Sequence, residues 1–279
     1  MKLLPKVIVF DLDGTLYEDI HHFNFYAERL RDKLPLQKQE IFWKEYKLAE
    51  QGEHTLRIGR VYDVAKDLLL VQQDRIVKEA FKWDGTALSQ EEVNQLYPEQ
   101  ITIDLESMLS IGDLWWVPAC VAFHHGLSGK SGHRSFLETR EFMMTPEFKM
   151  NKITNFKEML QDLREHGVKL VLLTNSPEPD SEVILTKLEL QTVFHKKIFN
   201  GKKPTLTSNR FEEIALTFNV NYNEILSVGD NWINEILPAQ KLGCSTILID
   251  PHHISTDESA DIVVETMTQA IPFFKKIIE

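Results

Sequence analysis

The sequence has little cysteine and no long apolar run. Its two cysteines, Cys120 and Cys244, lack the Cys-x-x-Cys spacing of metal and redox sites. We therefore expect two buried thiols in a reducing compartment rather than a disulfide scaffold. The apolar run before Asp11 is four residues long, and no run of about 20 follows it, so neither a signal peptide nor a membrane helix is predicted. These absences predict a cytoplasmic protein that has no membrane partner.

The sequence also lacks a surplus of basic residues. Lys and Arg number 31 against 42 Asp and Glu, which gives a formal net charge of −11. Nucleic acid is therefore not an expected partner, because a phosphate backbone attracts basic surfaces. Hydrophobic residues make up 43% and charged residues 26% of the 279 residues, so a folded globular protein of one large or two modest domains is predicted.

Short apolar segments that end in polar residues recur along the chain. The first is 7–10, before Asp11, and the later ones are 169–173, 225–228 and 246–249. Helical patterns separate the later segments, at 155–166, 180–190, 210–218 and 233–242. This alternation predicts an α/β fold with a doubly wound parallel sheet, in which the polar strand ends face one crevice.

Residues 17–151 have a different pattern, with helical periodicity and few strand signals. Apolar spacing predicts amphipathic helices in 23–30, 41–49 and 61–69. We therefore predict a large, mainly α-helical domain, 17–151, inserted after the first strand of a core formed by 1–16 and 152–279. The insertion holds four of the five tryptophans, which we interpret as packing between helices, with a substrate pocket as the alternative.

The segment Asp11-Leu12-Asp13-Gly14-Thr15 directly follows the first predicted strand. Two carboxylates two residues apart on a turn can reach one centre, and Gly14 allows a backbone conformation closed to other residues. A phosphate ester needs an oxygen nucleophile and a proton donor for the leaving group, and this pair can supply both.

Two further acidic residues, Asp230 and Glu235, follow another predicted strand. So many carboxylates at one face would repel one another unless a cation were bound, and a set of oxygen ligands suits Mg²⁺. The clustered acids therefore predict a magnesium site.

These residues resemble the four ordered motifs of the haloacid dehalogenase (HAD) superfamily. Residues 11–15 match the DxDGT pattern of its phosphate-transferring members. The resemblance implies a HAD-like Rossmannoid core in which Asp11 is the nucleophile that forms an aspartyl-phosphate. It implies that Asp13 protonates the leaving group and then activates water. The second motif falls on Thr174, whose hydroxyl, with the backbone amide of Asn175, would hold the phosphoryl oxygens.

The third and fourth motifs resemble Lys203-Pro204 and Gly229–Glu235. Lys202 competes with Lys203 for the role of the motif lysine. The resemblance implies that Mg²⁺ is bound by the Asp11 carboxylate, the Asp13 backbone carbonyl and Asp230. The resemblance also implies outer metal positions, with Glu235 acting through water, and a set of phosphate-binding residues. The insertion occupies the place of the family's helical cap. The outer metal residues are Glu235 and Asn234; the phosphate-binding set is Gly14, Thr15, Thr174, Asn175 and Lys203.

The implied function is a Mg²⁺-dependent phosphohydrolase that acts on a small phosphorylated metabolite. Two alternatives remain open: a phosphomutase of the same superfamily, and a non-catalytic phosphate-binding or regulatory protein on the same fold. A dehalogenase is disfavoured, because Asp13 has no role where no leaving-group oxygen needs a proton. The identity of the substrate and the oligomeric state are left open.

Two other patterns fit known sites only in part. The segment 126–131 ends in Gly-Lys-Ser, as a P-loop does, but His124 stands where the first P-loop glycine is needed. Six of the ten histidines form adjacent pairs, at 21–22, 124–125 and 252–253. Because adjacent side chains do not share a face of a helix or a strand, we expect solvated or packing histidines rather than metal ligands.

Overall fold

A computed structural model of the chain describes residues 4–19, 21–104, 106–253 and 259–279. The chain divides into two compact units. The core unit comprises Met1–Asp19 and Met143–Glu279, and the inserted unit comprises Ile20–Phe142. The sequence pattern predicts the first boundary after residue 16, slightly earlier than the structure has it. It predicts the second boundary after residue 151, slightly later than the structure has it.

The described residues form ten strands and ten α-helices in the following chain order. The strands are β1 (Val7–Phe10), β2 (Val61–Asp63), β3 (Leu68–Gln73), β4 (Ile76–Lys82), β5 (Met108–Ser110), β6 (Lys169–Leu173), β7 (Lys196–Ile198), β8 (Ile225–Gly229), β9 (Ser245–Ile249) and β10 (Ile262–Val264). The α-helices are α1 (His21–Arg31), α2 (Leu36–Glu50), α3 (Gln90–Leu96), α4 (Trp116–His124), α5 (Gly129–Met144), α6 (Phe156–Glu165), α7 (Glu178–Lys187), α8 (Thr207–Phe218), α9 (Leu237–Leu242) and α10 (Met267–Ile278).

The core unit is built on a parallel sheet whose described strands have the order β10-β9-β8-β1-β6-β7. Strand β1 lies between β6 and β8, with Val7 paired to Lys169 on one side and to Ile225 on the other. All four residues of β1 are buried, as the continuous apolar run predicted. The predicted α/β fold with a parallel sheet is confirmed.

Helices cover both faces of this sheet. Side chains alternate along β1, so its apolar residues face helices on either side. Val7 and Val9 belong to one apolar cluster, together with Phe211 of α8 and Ala239 of α9. Phe10 points to the other face, where its ring lies 6.1 Å from Phe156 of α6 and 5.7 Å from Phe274 of α10. This two-sided packing is the doubly wound arrangement that the sequence predicted.

The inserted unit contains helices α1–α4 and most of α5, as predicted, but also an antiparallel sheet. Its described strands have the order β4-β3-β2-β5. The predicted helix over 61–69 is wrong, because Val61 pairs with Leu70 in a β2–β3 hairpin. The turn between the two strands includes Asp67 at φ 55°, so the apparent helical spacing combines apolar positions from two strands.

Two expectations from the sequence concern membrane helices and the cysteines. Among the described residues, no helix combines the length and apolar character that a membrane span requires. Both cysteines are buried free thiols, as predicted. Burial raises the pKa of the Cys244 thiol to about 12, which makes it a poor nucleophile near neutral pH.

Candidate functional site

The polar residues after β1, β6 and β8 lie at one edge of the core-unit sheet. These three strands are neighbours and run parallel, so their carboxyl ends point the same way. Asp11 follows β1, Thr174 follows β6 and Asp230 follows β8. This edge is where ligands bind in open α/β sheets, and it brings together residues far apart in the sequence.

A buried ammonium group links two carboxylates at this edge. Lys203 Nζ lies 2.6 Å from Asp11 Oδ1 and 2.6 Å from Glu235 Oε1. The three side chains are 2%, 9% and 5% exposed, so the contacts are shielded from water. Lys203 therefore supplies positive charge where negative charge is concentrated.

Burial and mutual repulsion shift the ionisation of these groups. Burial raises the pKa of Glu235 to about 8, with a contribution from the charge of Asp11, although the Lys203 ammonium opposes the shift. Burial likewise raises the pKa of Asp11. Burial alone would lower the pKa of Lys203, but Asp11 and Glu235 together raise it above its ordinary value. Lys203 is therefore charged at neutral pH and is shared by two buried acids.

The side chain of Asn175 fixes the backbone of Lys203. Asn175 Oδ1 accepts a hydrogen bond from the Lys203 amide at 2.7 Å, and its Nδ2 donates to the Lys203 carbonyl at 2.9 Å. The neighbouring Lys202 is exposed and has φ 59°. Of the two lysines, Lys203 is thus the one whose ammonium meets Asp11. Its peptide bond to Pro204 is cis.

Three carboxylates form a set of oxygen ligands suited to a divalent cation. One oxygen each from Asp11, Asp230 and Glu235 lies within 4.8 Å of the others. A Cβ atom on Gly14 would lie 2.2 Å from Asp230 Oδ2, so only glycine leaves room for the Asp230 carboxylate against this turn. Three hard oxygen donors of this kind fit Mg²⁺. This set includes Glu235, for which the sequence predicts an outer position.

A π-helical turn, Trp232–Ile236, positions Glu235. Glu235 Oε2 accepts a hydrogen bond from the Asn231 amide at 2.9 Å, and Asn231 Oδ1 accepts one from the Asn234 amide at 3.2 Å. The sequence predicts an ordinary helix from residue 233, but the wider turn is what places two acids five residues apart on one side. Asn234 contributes backbone groups to this turn, and its carbonyl accepts a hydrogen bond from the Thr207 hydroxyl at 2.9 Å.

The carboxylate of Asp13 has partners of a different kind. Its Oδ1 accepts a hydrogen bond from the Tyr17 hydroxyl and its Oδ2 one from the Ser176 hydroxyl, each at 2.6 Å. Neither Tyr17 nor Ser176 belongs to the motifs that the sequence singles out. Available signals were that Tyr17 follows Asp13 by four residues and that Ser176 follows Thr174 by two. Asp11 and Asp13 thus have separate environments, as a nucleophile and an acid–base group require.

The two threonines predicted to bind phosphate are both buried. Thr174 is 1% exposed, and its hydroxyl oxygen accepts a hydrogen bond from the Ser176 amide at 3.0 Å. Thr15 is 0% exposed, and its hydroxyl has no hydrogen-bond partner among the described residues. Thr174 therefore orders the loop that carries Ser176, and Thr15 packs beneath the Asp11–Asp13 turn.

The chain is similar to known proteins in part of its sequence and in its fold. The sequence model of the haloacid dehalogenase-like hydrolases matches residues 133–249. A search of curated proteins with this sequence found no match.

Three solved structures share the fold over nearly the whole chain. A predicted phosphoglycolate phosphatase from Haemophilus somnus 129PT is 18% identical, with a TM-score of 0.54 and coverage of 96% of this chain and 97% of that one. The HAD-type protein YfnB of Bacillus subtilis, bound to magnesium, is 13% identical, with a TM-score of 0.53 and coverage of 97% and 98%. An L-2-haloacid dehalogenase is 16% identical, with a TM-score of 0.50 and coverage of 97% and 99%.

Because these identities are low, the structural likeness establishes the fold, while the family match covers 133–249 and so includes Thr174, Lys203, Asp230 and Glu235. The remaining motif, Asp11 to Thr15, lies at the end of the strand between those that carry Thr174 and Asp230. The chain is thus similar to the haloacid dehalogenase-like hydrolases in sequence over 133–249 and in fold over nearly its whole length.

Proposed function

We propose that the protein is a Mg²⁺-dependent phosphohydrolase that acts on a small phosphorylated metabolite through an aspartyl-phosphate intermediate. The observation that carries this proposal is the different bonding of two carboxylates on one turn. Asp11 contacts the ammonium of Lys203, whereas Asp13 accepts hydrogen bonds from the hydroxyls of Tyr17 and Ser176. Phosphate-ester hydrolysis needs one carboxylate that attacks and another that moves protons.

In the first step, a carboxylate oxygen of Asp11 attacks the phosphorus atom. A bond forms between Asp11 and phosphorus, and the bond from phosphorus to the leaving-group oxygen breaks. Lys203 holds the carboxylate through Oδ1 and offsets negative charge as the phosphoryl group is transferred. A bound Mg²⁺, held by Asp11, Asp230 and Glu235 and by the Asp13 carbonyl that the resemblance implies, would supply further charge compensation.

Asp13 moves the protons of both steps. As an acid, it gives its proton to the leaving-group oxygen when the bond to phosphorus breaks. As a base, it then accepts a proton from the water that attacks phosphorus, which releases inorganic phosphate and regenerates the Asp11 carboxylate. The hydroxyls of Tyr17 and Ser176 fix the orientation of the Asp13 side chain for both transfers.

The first experiment measures phosphate release from para-nitrophenyl phosphate with Mg²⁺ and with EDTA. We expect metal-dependent turnover that Asp11→Asn abolishes while the fold is retained, because the two side chains are nearly isosteric. Asp162→Asn, on the exposed face of α6, is the matched control and should keep full activity. Turnover that survives in Asp11→Asn, after contaminating enzymes are excluded, would contradict the covalent mechanism.

The same preparation separates this proposal from its alternatives. Release of chloride from 2-chloropropionate tests for dehalogenation, and we expect none, because halide departure gives Asp13 no proton to transfer. Sugar phosphates that are isomerised without phosphate release would indicate a phosphomutase. Binding of Mg²⁺ and phosphate with no turnover across a metabolite screen would favour a non-catalytic binding protein.

A further inference from the structure

A second group of potential metal ligands lies within the inserted unit. Glu45 of α2 meets His124 and His125 at the carboxyl end of α4, and each residue offers a ligand atom within 4.8 Å of the others. His125 is the residue that ends α4, beyond its last regular turn. The expectation that adjacent histidines face apart does not hold at this helix end, where both rings approach Glu45.

The ring of His124 is held in an orientation suited to metal binding. Its Nδ1 lies 2.8 Å and 2.9 Å from the two carboxylate oxygens of Asp67. Asp67 in turn accepts a hydrogen bond from the Tyr62 hydroxyl at 2.6 Å. With Nδ1–H donating to Asp67, the lone pair of the neutral ring is on Nε2, and this carboxylate–histidine arrangement is the usual outer support of a metal-binding histidine.

Aromatic packing restricts the same ring further. The indole of Trp83 stacks on His124, with centroids 4.0 Å apart and ring planes 4° from parallel. His124 therefore has little rotational freedom about its position between Asp67 and Trp83, so the direction of Nε2 is set before any ion binds. Such preorganisation is what separates a built site from a chance meeting of polar side chains.

His125 and Glu45 complete the set. His125 Nε2 lies 2.8 Å from Glu45 Oε2, and the two side chains are 5% and 16% exposed. His54 is nearby but is a poor ligand: its Nδ1 accepts a hydrogen bond from the Leu56 amide at 2.9 Å, so its Nε2 carries the hydrogen in the neutral ring. The donor set is therefore two imidazoles and one carboxylate.

We propose that Glu45, His124 and His125 bind a divalent transition-metal ion of the zinc class. Imidazole nitrogens favour such ions, whereas Mg²⁺ prefers oxygen ligands, so this site and the carboxylate site of the core unit select different metals. Two donor atoms bound to one zinc ion lie at most about 4 Å apart. The three ligand atoms lie within 4.8 Å of one another, so they need to move only slightly closer together to bind the ion. A cavity of about 610 Å³, lined in part by Glu45, His54 and Trp83, opens beside it.

The test measures zinc affinity of the full chain by competition with a chromophoric chelator. The Asp230→Asn variant serves as the background, because it weakens the carboxylate site of the core unit. We expect one zinc ion per chain, and an affinity reduced at least about 100-fold by Glu45→Gln, His124→Gln or His125→Gln. Asp67→Asn, which keeps the positive φ that asparagine tolerates, should weaken binding about 10-fold as an outer-partner change. His166→Gln, on the exposed surface of the core unit, is the matched control and should change nothing.

X-ray absorption at the zinc edge provides a readout that does not depend on the folding of the Glu45, His124 or His125 variants. The zinc-loaded Asp230→Asn chain should show scattering from two imidazole rings. Zinc with no imidazole scattering, no zinc bound in this background, or folded histidine variants that bind as tightly as their parent would each overturn the proposal.

Discussion

At the scale of single residues, the core-unit site gives two neighbouring carboxylates different partners. If Asp13 is the acid–base group, the Asp13→Asn variant should be slowed mainly in the steps that require a proton transfer. Para-nitrophenolate leaves without protonation, so phosphorylation of Asp11 should survive, whereas water attack should lose its base. Rapid mixing should show a burst of about one equivalent of nitrophenol per chain, followed by turnover about 100-fold or more below that of the parent.

Two results would contradict this role of Asp13. Steady turnover near the parent rate in Asp13→Asn would remove Asp13 from the chemistry. Loss of both burst and turnover in a folded variant would assign Asp13 to the attack step and not to proton transfer.

Gly14 is required for two separable reasons, its backbone conformation and the space it leaves. Its φ is 76°, and a Cβ atom there would lie 2.2 Å from Asp230 Oδ2. Gly14→Ala should therefore destabilise the fold by about 1–2 kcal/mol and also displace the Asp230 carboxylate, so that Mg²⁺ affinity and turnover both fall.

Gly167→Ala is the matched control that separates the two effects. Gly167 has φ 86°, and a Cβ atom there would have nothing within 4 Å, so alanine meets the same backbone strain with no collision. Thermal unfolding should show similar losses of stability in the two variants, while Mg²⁺ titration should show weakened binding in Gly14→Ala alone. Equal Mg²⁺ affinity in both variants would contradict the placement of Asp230.

At the scale of elements, the loop after β6 positions the lysine that meets Asp11. Asn175 bonds both the amide and the carbonyl of Lys203, at 2.7 Å and 2.9 Å. Asn175→Ala should lower kcat about tenfold or more by loosening this loop, in the way that the loss of outer supporting contacts does in other sites. Steady-state kinetics compared with Asn209→Ala, an exposed position on α8, would measure the effect. Unchanged kcat would show that Lys203 needs no such support.

Elements with strong local signals were predictable from the sequence, and weak edge strands were not. Strands β1 and β6 have the predicted bounds because each is a continuous apolar run at the centre of the sheet. Strand β7 was missed because it has three residues, two of them lysines, and its pairing comes from the neighbouring β6. The sequence predicts a helix in place of the β2–β3 hairpin because the apolar positions on both sides of the turn also fit a helical pattern.

The same distinction applies to the candidate site. Asp11, Asp13, Lys203 and Asp230 stand in motifs whose spacing is local, so sequence alone could single them out. Ser176 became a candidate only when the fold brought it 2.6 Å from Asp13, a contact across 163 positions of sequence. The position of Glu235 beside Asp11 and Asp230 likewise depends on a π-helical turn, which no local pattern in the sequence predicts.

At the scale of the whole molecule, metal binding should stabilise the folded chain. An ion that binds only the folded state at 100 times its Kd adds about 2.7 kcal/mol, which raises Tm by several degrees. We expect this increase on addition of Mg²⁺ to the parent and not to Asp230→Asn. A shift of equal size in both proteins would place the bound ion elsewhere.

The stabilisation should also depend on pH. Burial raises the pKa of Glu235 to about 8, so at pH 6 Mg²⁺ must displace a proton that is largely absent at pH 9. We therefore expect a larger Mg²⁺-induced increase in Tm at pH 9 than at pH 6. Differential scanning fluorimetry at both pH values, with and without EDTA, would measure it, and a larger increase at pH 6 would contradict the metal role of Glu235.

The covalent intermediate on Asp11 is the central claim, and chemical trapping tests it directly. The protein is mixed with para-nitrophenyl phosphate and Mg²⁺, quenched, and reduced with borohydride, which converts an aspartyl-phosphate to homoserine. Mass spectrometry of the peptide that contains Asp11 should then show homoserine at position 11 alone, dependent on substrate and metal and more abundant in Asp13→Asn. Active turnover with an unmodified Asp11, or with homoserine at another aspartate, would contradict the proposed mechanism.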